Sequence, residues 1–221
     1  CGQIPGQGLL ASFEAWRRRA ECTPIDVGAH SIIVVFTSSA ATEMEQLMTR
    51  EGVTSFKLFL AYPGSLMVDD GTLLKAMKVA GRHGGQVSAH CENGHIIQML
   101  VDEAVAAGNV APRYHMLTRP PLAEGEATSR VIRLAEAAGA PVYIVHLSAR
   151  QSLEAVAEAR QRGVAVHAET CTHYLFLTDA EYDLPGFEAA RFIMSPPLRA
   201  ADHVEALWRG IATGDLSVVS T

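Results

Sequence analysis

Residues 44–60 read MEQLMTREGVTSFKLFL and contain the pattern that decides the fold. A helical pattern over Met44–Glu51 ends at Gly52, and a run rich in β-forming residues follows over Val53–Leu60. Glycine suits the left-handed backbone conformation that comes just after a helix end. The run is too short and too apolar for a half-exposed hairpin strand. It resembles a strand buried on both faces, as in a parallel sheet.

The same helix–glycine–strand unit occurs three more times along the chain. The further units are Leu73–His83 with Gln86–His90, Ala127–Ala138 with Pro141–His146, and Ser152–Arg162 with Val164–His167. With two more runs, Ser31–Phe36 and Leu216–Ser220, the sequence predicts six strands that alternate with helices. This alternation is typical of an α/β fold, either an open doubly wound sheet or a βα-barrel. The patterns G-x-G-x-x-G and G-x-x-x-x-G-K-[ST] are both missing, which excludes phosphate-binding loops of those types.

Composition and charge narrow the class of protein. The chain has 221 residues, and its 48% of hydrophobic residues is typical of a globular protein rather than a disordered one. The formal net charge of -6 argues against a general nucleic-acid-binding protein. No apolar run reaches the roughly 18 residues that a membrane span needs.

Four widely spaced cysteines predict reduced thiols and a cytoplasmic protein. Since the sequence begins at Cys1 and stops within a predicted strand, we expect an internal piece of a longer protein.

Three chemically reactive side chains occupy predicted strands on neighbouring parts of the sheet. Lys57 lies inside one strand, while His90 and His146 close the next two. In a βα-barrel the carboxyl ends of the strands meet at one face, where catalytic residues gather. The three side chains could therefore point into one pocket, and histidine is a common ligand of divalent metals. The alternative is that each histidine is a hydrogen-bonded structural residue.

Lys57 is the most unusual of the three because it interrupts an apolar strand. A lysine buried there needs a partner, a lowered pKa or a chemical modification. The alternative is that its long side chain reaches solvent at an edge of the sheet. The local sequence leaves these alternatives open.

The other histidines and the cysteines give weaker signals. His167 and His173 lie on and after a predicted strand, and we expect them to be structural or to support metal ligands. Cys91 and Cys171 follow strand ends, where each could be a nucleophile or a ligand. Because no clear base accompanies them, we expect small buried hydrophobic side chains. The remaining histidines fall in helices or loops, where surface positions are the default: His30, His83, His95, His115 and His203.

Five ordered segments form a specific pattern along the chain. They are Ser55–Tyr62, His90-Cys91-Glu92-Asn93-Gly94, Val145-His146-Leu147-Ser148, Glu169-Thr170-Cys171 followed by Tyr174-Leu175, and Ser195-Pro196-Pro197-Leu198-Arg199. Together they resemble the dihydropyrimidinase and D-hydantoinase family of cyclic amidohydrolases, in order and in spacing, along essentially the whole chain. Cys91 stands where that family commonly has alanine, and Thr172-His173 replaces a common Pro-Gln. Neither change affects an implied metal ligand.

The resemblance implies a fold and a domain organisation. The family's fold is an eight-stranded βα-barrel of the TIM type, usually beside a small β-sandwich built from the two chain ends. Residues 1–221 would form an incomplete catalytic barrel domain that comprises strands three to eight. The first barrel strands and the β-sandwich would lie outside the chain. Family members are commonly tetramers, so the resemblance also implies a homo-oligomer.

The resemblance further implies a binuclear metal site. Two divalent ions, normally zinc, would be bridged by Lys57 after its carbamylation by carbon dioxide, and His90 and His146 would bind one of them. A bridging hydroxide, whose pKa the metals lower, would attack the ring carbonyl. Tyr62 would stabilise the tetrahedral oxyanion. The backbone around Ser195 would hydrogen-bond the amide or imide edge of the ring.

Some parts of that site are expected beyond the 221 residues. The family's His-x-His pair would precede Cys1, its catalytic Asp would come directly after Thr221, and a substrate-binding Asn would follow further on. We therefore expect activity in the full-length parent protein and little activity from residues 1–221 alone.

The implied activity is hydrolysis of a C–N bond in a dihydropyrimidine or hydantoin ring, the chemistry of pyrimidine catabolism. One alternative is an allantoinase, which opens a ureide ring, although the segment Phe59–Gly64 favours the dihydropyrimidinase side. Another is a scaffold like the collapsin-response-mediator proteins, which share the fold but have lost metal ligands. The presence of Lys57, His90 and His146 together argues against the scaffold.

Overall fold

The computed structural model describes residues 1–4 and 6–221, which form an α/β fold around a parallel sheet. The strands are β1 (His30–Ile32), β2 (Ser55–Phe59), β3 (Gln86–His90), β4 (Val142–Ile144), β5 (Val166–Cys171) and β6 (Val218–Ser220). Each strand pairs in parallel with the next one along the chain. The six predicted strands are confirmed. Since their order does not reverse, the doubly wound alternative does not describe this sheet.

Helices connect the strands. The α-helices in the described part of the chain are α1 (Leu9–Ala20), α2 (Ala40–Arg50), α3 (Asp70–Arg82), α4 (Gly94–Ala106), α5 (Arg113–Leu117), α6 (Pro121–Ala138), α7 (Arg150–Gln161), α8 (Thr172–Phe176) and α9 (Ala201–Thr213). Two short 3₁₀-helices follow α8, at Asp179–Asp183 and Glu188–Phe192. The glycines after the four predicted helices all have positive φ, from 62° at Gly139 to 82° at Gly163. This confirms the predicted unit of helix, glycine and strand.

The two faces of the sheet differ in polarity because side chains alternate along each strand. One face packs on the helices and carries fully buried apolar side chains, among them Phe56, Leu58, Val87, Ala89, Val142 and Ile144. The register aligns Lys57 with Ser88 and Phe59 with His90 on the opposite face. That face is rich in polar groups, which include Ser55, Lys57, Gln86, Ser88, His90, Tyr143 and Glu169. The sheet therefore positions Lys57 and His90, two of the predicted site residues, on one side.

Strand ends differ from the prediction at two places that matter for the site. β4 ends at Ile144, two residues before His146, because His146 has a φ of 42° that an extended strand cannot accommodate. β5 continues to Cys171 and is longer than the predicted run, which brings Glu169 into the sheet.

Two expectations about thiols and membranes concern the fold as a whole. Cys91 and Cys171 are buried, as expected, and the cysteines in the described part of the chain form no disulfide. None of the helices described is both long and apolar enough to span a bilayer.

Candidate active site

Two of the predicted metal ligands meet at the carboxyl end of the sheet. His90 is the last residue of β3 and His146 follows β4, and Nδ1 of His90 lies 3.1 Å from Nε2 of His146. Burial lowers the pKa of His90 to about 3. Burial and the neighbouring His90 hold the pKa of His146 well below its ordinary value. Both rings are therefore neutral at pH 7, which is the form of imidazole that binds a metal.

Glu92 orients the ring of His90. Its side chain is 1% exposed, and its Oε2 lies 2.8 Å from Nε2 of His90. Burial raises the pKa of Glu92 to about 7 and lowers that of His90 to about 3, so the contact is a hydrogen bond with a neutral imidazole rather than an ion pair. When Glu92 is ionised it accepts Nε2–H of His90, which leaves Nδ1 of His90 without a proton and facing His146. Carboxyl groups commonly fix the tautomer of metal-binding histidines in this way.

Glu169 on β5 holds the turn that carries His146. Its Oε1 accepts the backbone N–H of His146 at 3.3 Å, and its Oε2 accepts the hydroxyl of Tyr143 at 2.8 Å. Among the non-glycine residues that the structure describes, positive φ occurs only at Tyr62 (67°) and His146 (42°). Such conformations cost free energy and concentrate at functional sites. Both residues were predicted from the sequence as site residues.

Lys57 lies half-buried beside an aromatic ring. Its Nζ is 5.2 Å from the ring centroid of Phe59, which suits a cation–π contact. Burial lowers the pKa of Lys57 to about 8, although nearby Cys91 and Glu169 act in the opposite direction. Of the alternatives that the sequence left open, the structure therefore supports a lowered pKa and a local partner. With this pKa, about a tenth of the lysine is neutral at pH 7, and the neutral amine is the form that reacts with carbon dioxide.

Tyr62 lies next to His90 on the turn after β2. The two ring centroids are 5.3 Å apart. The carbonyl of Tyr62 accepts backbone N–H groups from the three residues Ser65–Met67, which closes a tight turn. The start of α4 packs directly on this turn, since a Cβ at Gly94 would lie 3.0 Å from the Cα of Ala61. These contacts fix the position of the tyrosine.

A cavity of about 680 Å³ opens on the polar face of the sheet. Lys57, Phe59, Tyr143, His146 and Glu169 line one part of it. His30, Gln86 and Ser88, from the amino-terminal half of the strands, also line the cavity. It therefore extends along the polar face of the sheet and reaches His146 at the carboxyl end.

The donor atoms present fit a divalent metal ion. Two nitrogen ligands of a tetrahedral zinc ion lie about 3.4 Å apart when each bond is roughly 2.0–2.1 Å, close to the 3.1 Å between the two histidine nitrogens. Glu92 Oε1 and His146 Nδ1 are buried without a hydrogen-bond partner among the described residues, which is common where a ligand or water belongs. Within residues 1–4 and 6–221, no three His, Cys, Asp or Glu side chains are grouped to hold a metal. The two histidines therefore need further ligands, and Lys57 lines the same cavity as His146.

Ser195 contacts a different set of residues. The Lys57 amine and the Tyr62 and His90 rings lie 5.2 to 6.1 Å from the ring centroid of Phe59, and His146 contacts His90. The Oγ of Ser195 lies instead 3.3 Å from Nε2 of His115. The expectation that His115 is a surface residue was wrong, because it is half-buried and bonded to this loop.

Two other histidines have hydrogen-bond partners, and only His203 differs from the surface expectation. His203 is buried, and its Nδ1 accepts the backbone N–H of Arg150 at 2.9 Å. His30 is exposed but begins β1, where its Nδ1 lies 2.8 Å from the Oγ of Ser55. Both partners lie far away in the sequence, but only His203 exchanges solvent for its partner.

A buried ion pair joins the first turn of α6 to the loop that precedes α9. Oε2 of Glu124 lies 2.9 Å from Nη2 of Arg199, and the two side chains are 2% and 3% exposed. Oε1 of Glu124 accepts the backbone N–H groups of Ser148 and Ala149, and Arg199 also donates to the carbonyl of Arg119. Burial alone would raise the pKa of Glu124, but Arg199 and the hydrogen bonds from Ser148 hold it below its ordinary value.

Several residues around the site have no role that the sequence predicted. Glu92, Glu169 and Arg199 all stood in the segments that carried the family resemblance. For Glu92 and Glu169 the available signal was a charged residue within a strand or just after a strand end, where such residues are rarely buried without a partner. Arg199, in the loop before α9, gave no such signal. His115 and Glu124 stood in helical segments without such a signal.

The chain is similar over its full length to curated hydantoinases and dihydropyrimidinases. It is 46% identical to a D-hydantoinase of Streptomyces coelicolor over 221 residues, which are 99% of this chain and 47% of that protein. It is 38% identical to a dihydropyrimidinase of Arabidopsis thaliana over 220 residues, which are 99% of this chain and 41% of that protein. The chain spans about half the length of the curated relatives it matches.

Solved structures give the same result. The crystal structure of dihydropyrimidinase from Brevibacillus agri matches with a TM-score of 0.97 and 39% sequence identity, covering 100% of this chain and 48% of that one. No model of a known protein family matches the chain.

Proposed function

Because the chain belongs to the D-hydantoinase and dihydropyrimidinase family, we propose that the full-length protein hydrolyses a C–N bond of a dihydropyrimidine or hydantoin ring. The observation that carries this proposal is the 3.1 Å approach of His90 Nδ1 to His146 Nε2, where two neutral imidazoles present their nitrogens to one point. The proposal concerns the full-length protein, since the chain spans about half of its relatives. Ring opening of hydantoin or dihydrouracil by the purified protein tests it.

His90, His146 and carbamylated Lys57 would hold two divalent metal ions, which we take to be zinc from the family resemblance. When bound, such ions polarise a carbonyl oxygen and lower the pKa of bound water. Carbamylation would turn a half-buried cation into an anion that can bridge two metals. The lowered pKa of Lys57 supports this modification because it increases the fraction of reactive amine.

Two residues would act on the ring itself. Hydrolysis places an oxygen on the carbonyl carbon, and the carbonyl oxygen carries negative charge until the C–N bond breaks. The hydroxyl of Tyr62 would donate a hydrogen bond to that oxygen. Its contact with the ring of His90 supports a place beside the metals. The backbone N–H and C=O of Ser195 would pair with the amide edge and orient the ring.

The same family membership supports three wider proposals. The sheet would form strands three to eight of an eight-stranded βα-barrel, which agrees with a strand order that never reverses. The protein would be cytoplasmic, in accord with the free thiols. It would assemble as a homotetramer, as members of the family commonly do.

The Tyr62→Phe variant should lower turnover by about a hundredfold, because it removes one hydrogen bond to the developing oxyanion. Metal content should not change, since the phenol hydroxyl binds no metal in this account. Steady-state kinetics and metal analysis of the same preparation check both points. Wild-type turnover in this variant would show that Tyr62 does not stabilise the oxyanion.

The His90→Ala and His146→Ala variants should each weaken binding of the same metal ion by at least about a hundredfold. The reason is that loss of a ligand lowers metal affinity at least as much as loss of a residue that only orients a ligand. Competition with a chelator measures the affinity. The exposed His95 on α4 provides the control, and His95→Ala should leave the affinity unchanged. If either site variant keeps two tightly bound metals per subunit, that histidine is structural.

A further inference from the structure

The imidazole of His115 holds the backbone next to Ser195. Its Nε2 lies 2.7 Å from the carbonyl oxygen of Met194 and 3.3 Å from the Oγ of Ser195. A carbonyl oxygen can only accept, so Nε2 must carry the proton. Burial and nearby Arg119 lower the pKa of His115, and its neutral ring therefore has this single N–H. The bond fixes the plane of the Met194–Ser195 peptide.

Tyrosines hold the backbone on the other side of Ser195. The hydroxyl of Tyr174 on α8 donates to the carbonyl of Pro196. The hydroxyl of Tyr182 accepts the N–H of Leu198 at 3.1 Å. Both tyrosine side chains are 3% exposed, so their positions are set by packing. The loop is therefore anchored from both directions.

The anchored loop leaves one residue with free backbone groups at its centre. Among the residues that the structure describes, neither the N–H nor the C=O of Ser195 makes a hydrogen bond. Met194 and Pro196, its neighbours, each have the carbonyl engaged by a side chain from another element. A donor and an acceptor on one residue can pair with both groups of a ring amide, because that amide is cis and its N–H and C=O point to the same side.

We propose that His115 is a positioning residue for the substrate: its Nε2–H holds the Met194–Ser195 peptide in the orientation that presents the Ser195 backbone to the amide edge of the ring. This inference rests on the proposed ring hydrolysis. His115 touches neither the substrate nor the metal ligands in this account. It acts through the loop, and its loss should affect binding of the ring more than the chemical step.

Two substitutions separate the hydrogen bond from the volume of the side chain. His115→Leu keeps a side chain of similar size but removes the donor, whereas His115→Gln keeps a terminal N–H that can reach the same carbonyl. His95→Leu, at an exposed position on α4, provides the control. All three are made in the metal-loaded, full-length protein, with hydantoin and dihydrouracil as substrates.

We expect His115→Leu to raise KM about tenfold, lower kcat less than threefold and leave metal content unchanged, in line with the loss of one hydrogen bond. His115→Gln should return KM to within about threefold of the wild type, which a purely space-filling role would not produce. If His115→Leu changes KM no more than His95→Leu, or if Gln restores nothing, the positioning role is wrong while the proposed activity stands. A wild-type protein that opens neither ring would instead overturn the proposed function, and the positioning role with it.

Discussion

The Lys57→Ala variant is expected to lose its bound metal and to open rings at least about a thousandfold more slowly than the wild type. The reason is that, under the proposed function, carbamylated Lys57 would supply an anionic ligand to the metal site, which neutral histidines cannot replace. Metal catalysis contributes several kcal/mol to such reactions, and each 1.36 kcal/mol is about tenfold in rate. Metal analysis of the purified variant and its kcat/KM are the two measurements.

The control for this variant is Lys75→Ala, which removes an exposed lysine from α3. It should keep both the metal content and the activity of the wild type. Unchanged metal content in Lys57→Ala would contradict the assignment of Lys57 as a ligand. The lysine would then be explained by its lowered pKa and its contact with Phe59 alone.

The Arg199→Met variant is expected to reduce the free energy of unfolding by about 3–5 kcal/mol, because it leaves Glu124 as a buried charge without its partner. The carboxylate of Glu124 would keep its hydrogen bonds from Ser148 and Ala149. Those neutral donors do not balance its charge. Denaturant-induced unfolding of the variant and the wild type gives the difference.

A matched control is available on the surface. Arg191 and Glu188 also lie 2.9 Å apart, but their side chains are 68% and 62% exposed. Arg191→Met should cost less than about 1 kcal/mol, since solvent screens the pair. Adding Glu124→Gln to Arg199→Met should recover part of the lost stability. If Arg199→Met is no more destabilising than Arg191→Met, the buried pair does not stabilise the fold as described.

Features that depend on neighbours in the sequence could be predicted. The glycines after the helices, the apolar strands and the odd position of Lys57 within one of them are all local signals. His90 and Glu92 are also local, only two residues apart, and a carboxyl so close to a strand-end histidine could have been assigned from the sequence. The family resemblance supplied the roles of Tyr62 and Ser195, which local pattern does not provide.

Features that depend on distant partners could not be predicted. Glu124 and Arg199 are 75 residues apart, and His115 and Met194 are 79 apart. The sequence of either segment does not identify its partner, because the pairing arises only when the chain has folded. The end of β4 has the same origin: His146 takes a positive φ where a carboxylate from β5 binds its N–H. The sequence pattern within one strand contains no information about its contacts with another strand.

The most direct test of the account is ring opening by the full-length protein before and after removal of metal. Purified protein is assayed on hydantoin, dihydrouracil and allantoin, then stripped with a chelator and reloaded with zinc. We expect hydantoin or dihydrouracil to be opened to the carbamoyl acid, the activity to disappear with the metal, and zinc to restore it. Activity on allantoin alone would indicate the allantoinase alternative. If the metal-loaded protein opens none of the three rings, or if activity survives complete loss of metal, the proposed hydrolase site at Lys57, His90 and His146 is wrong.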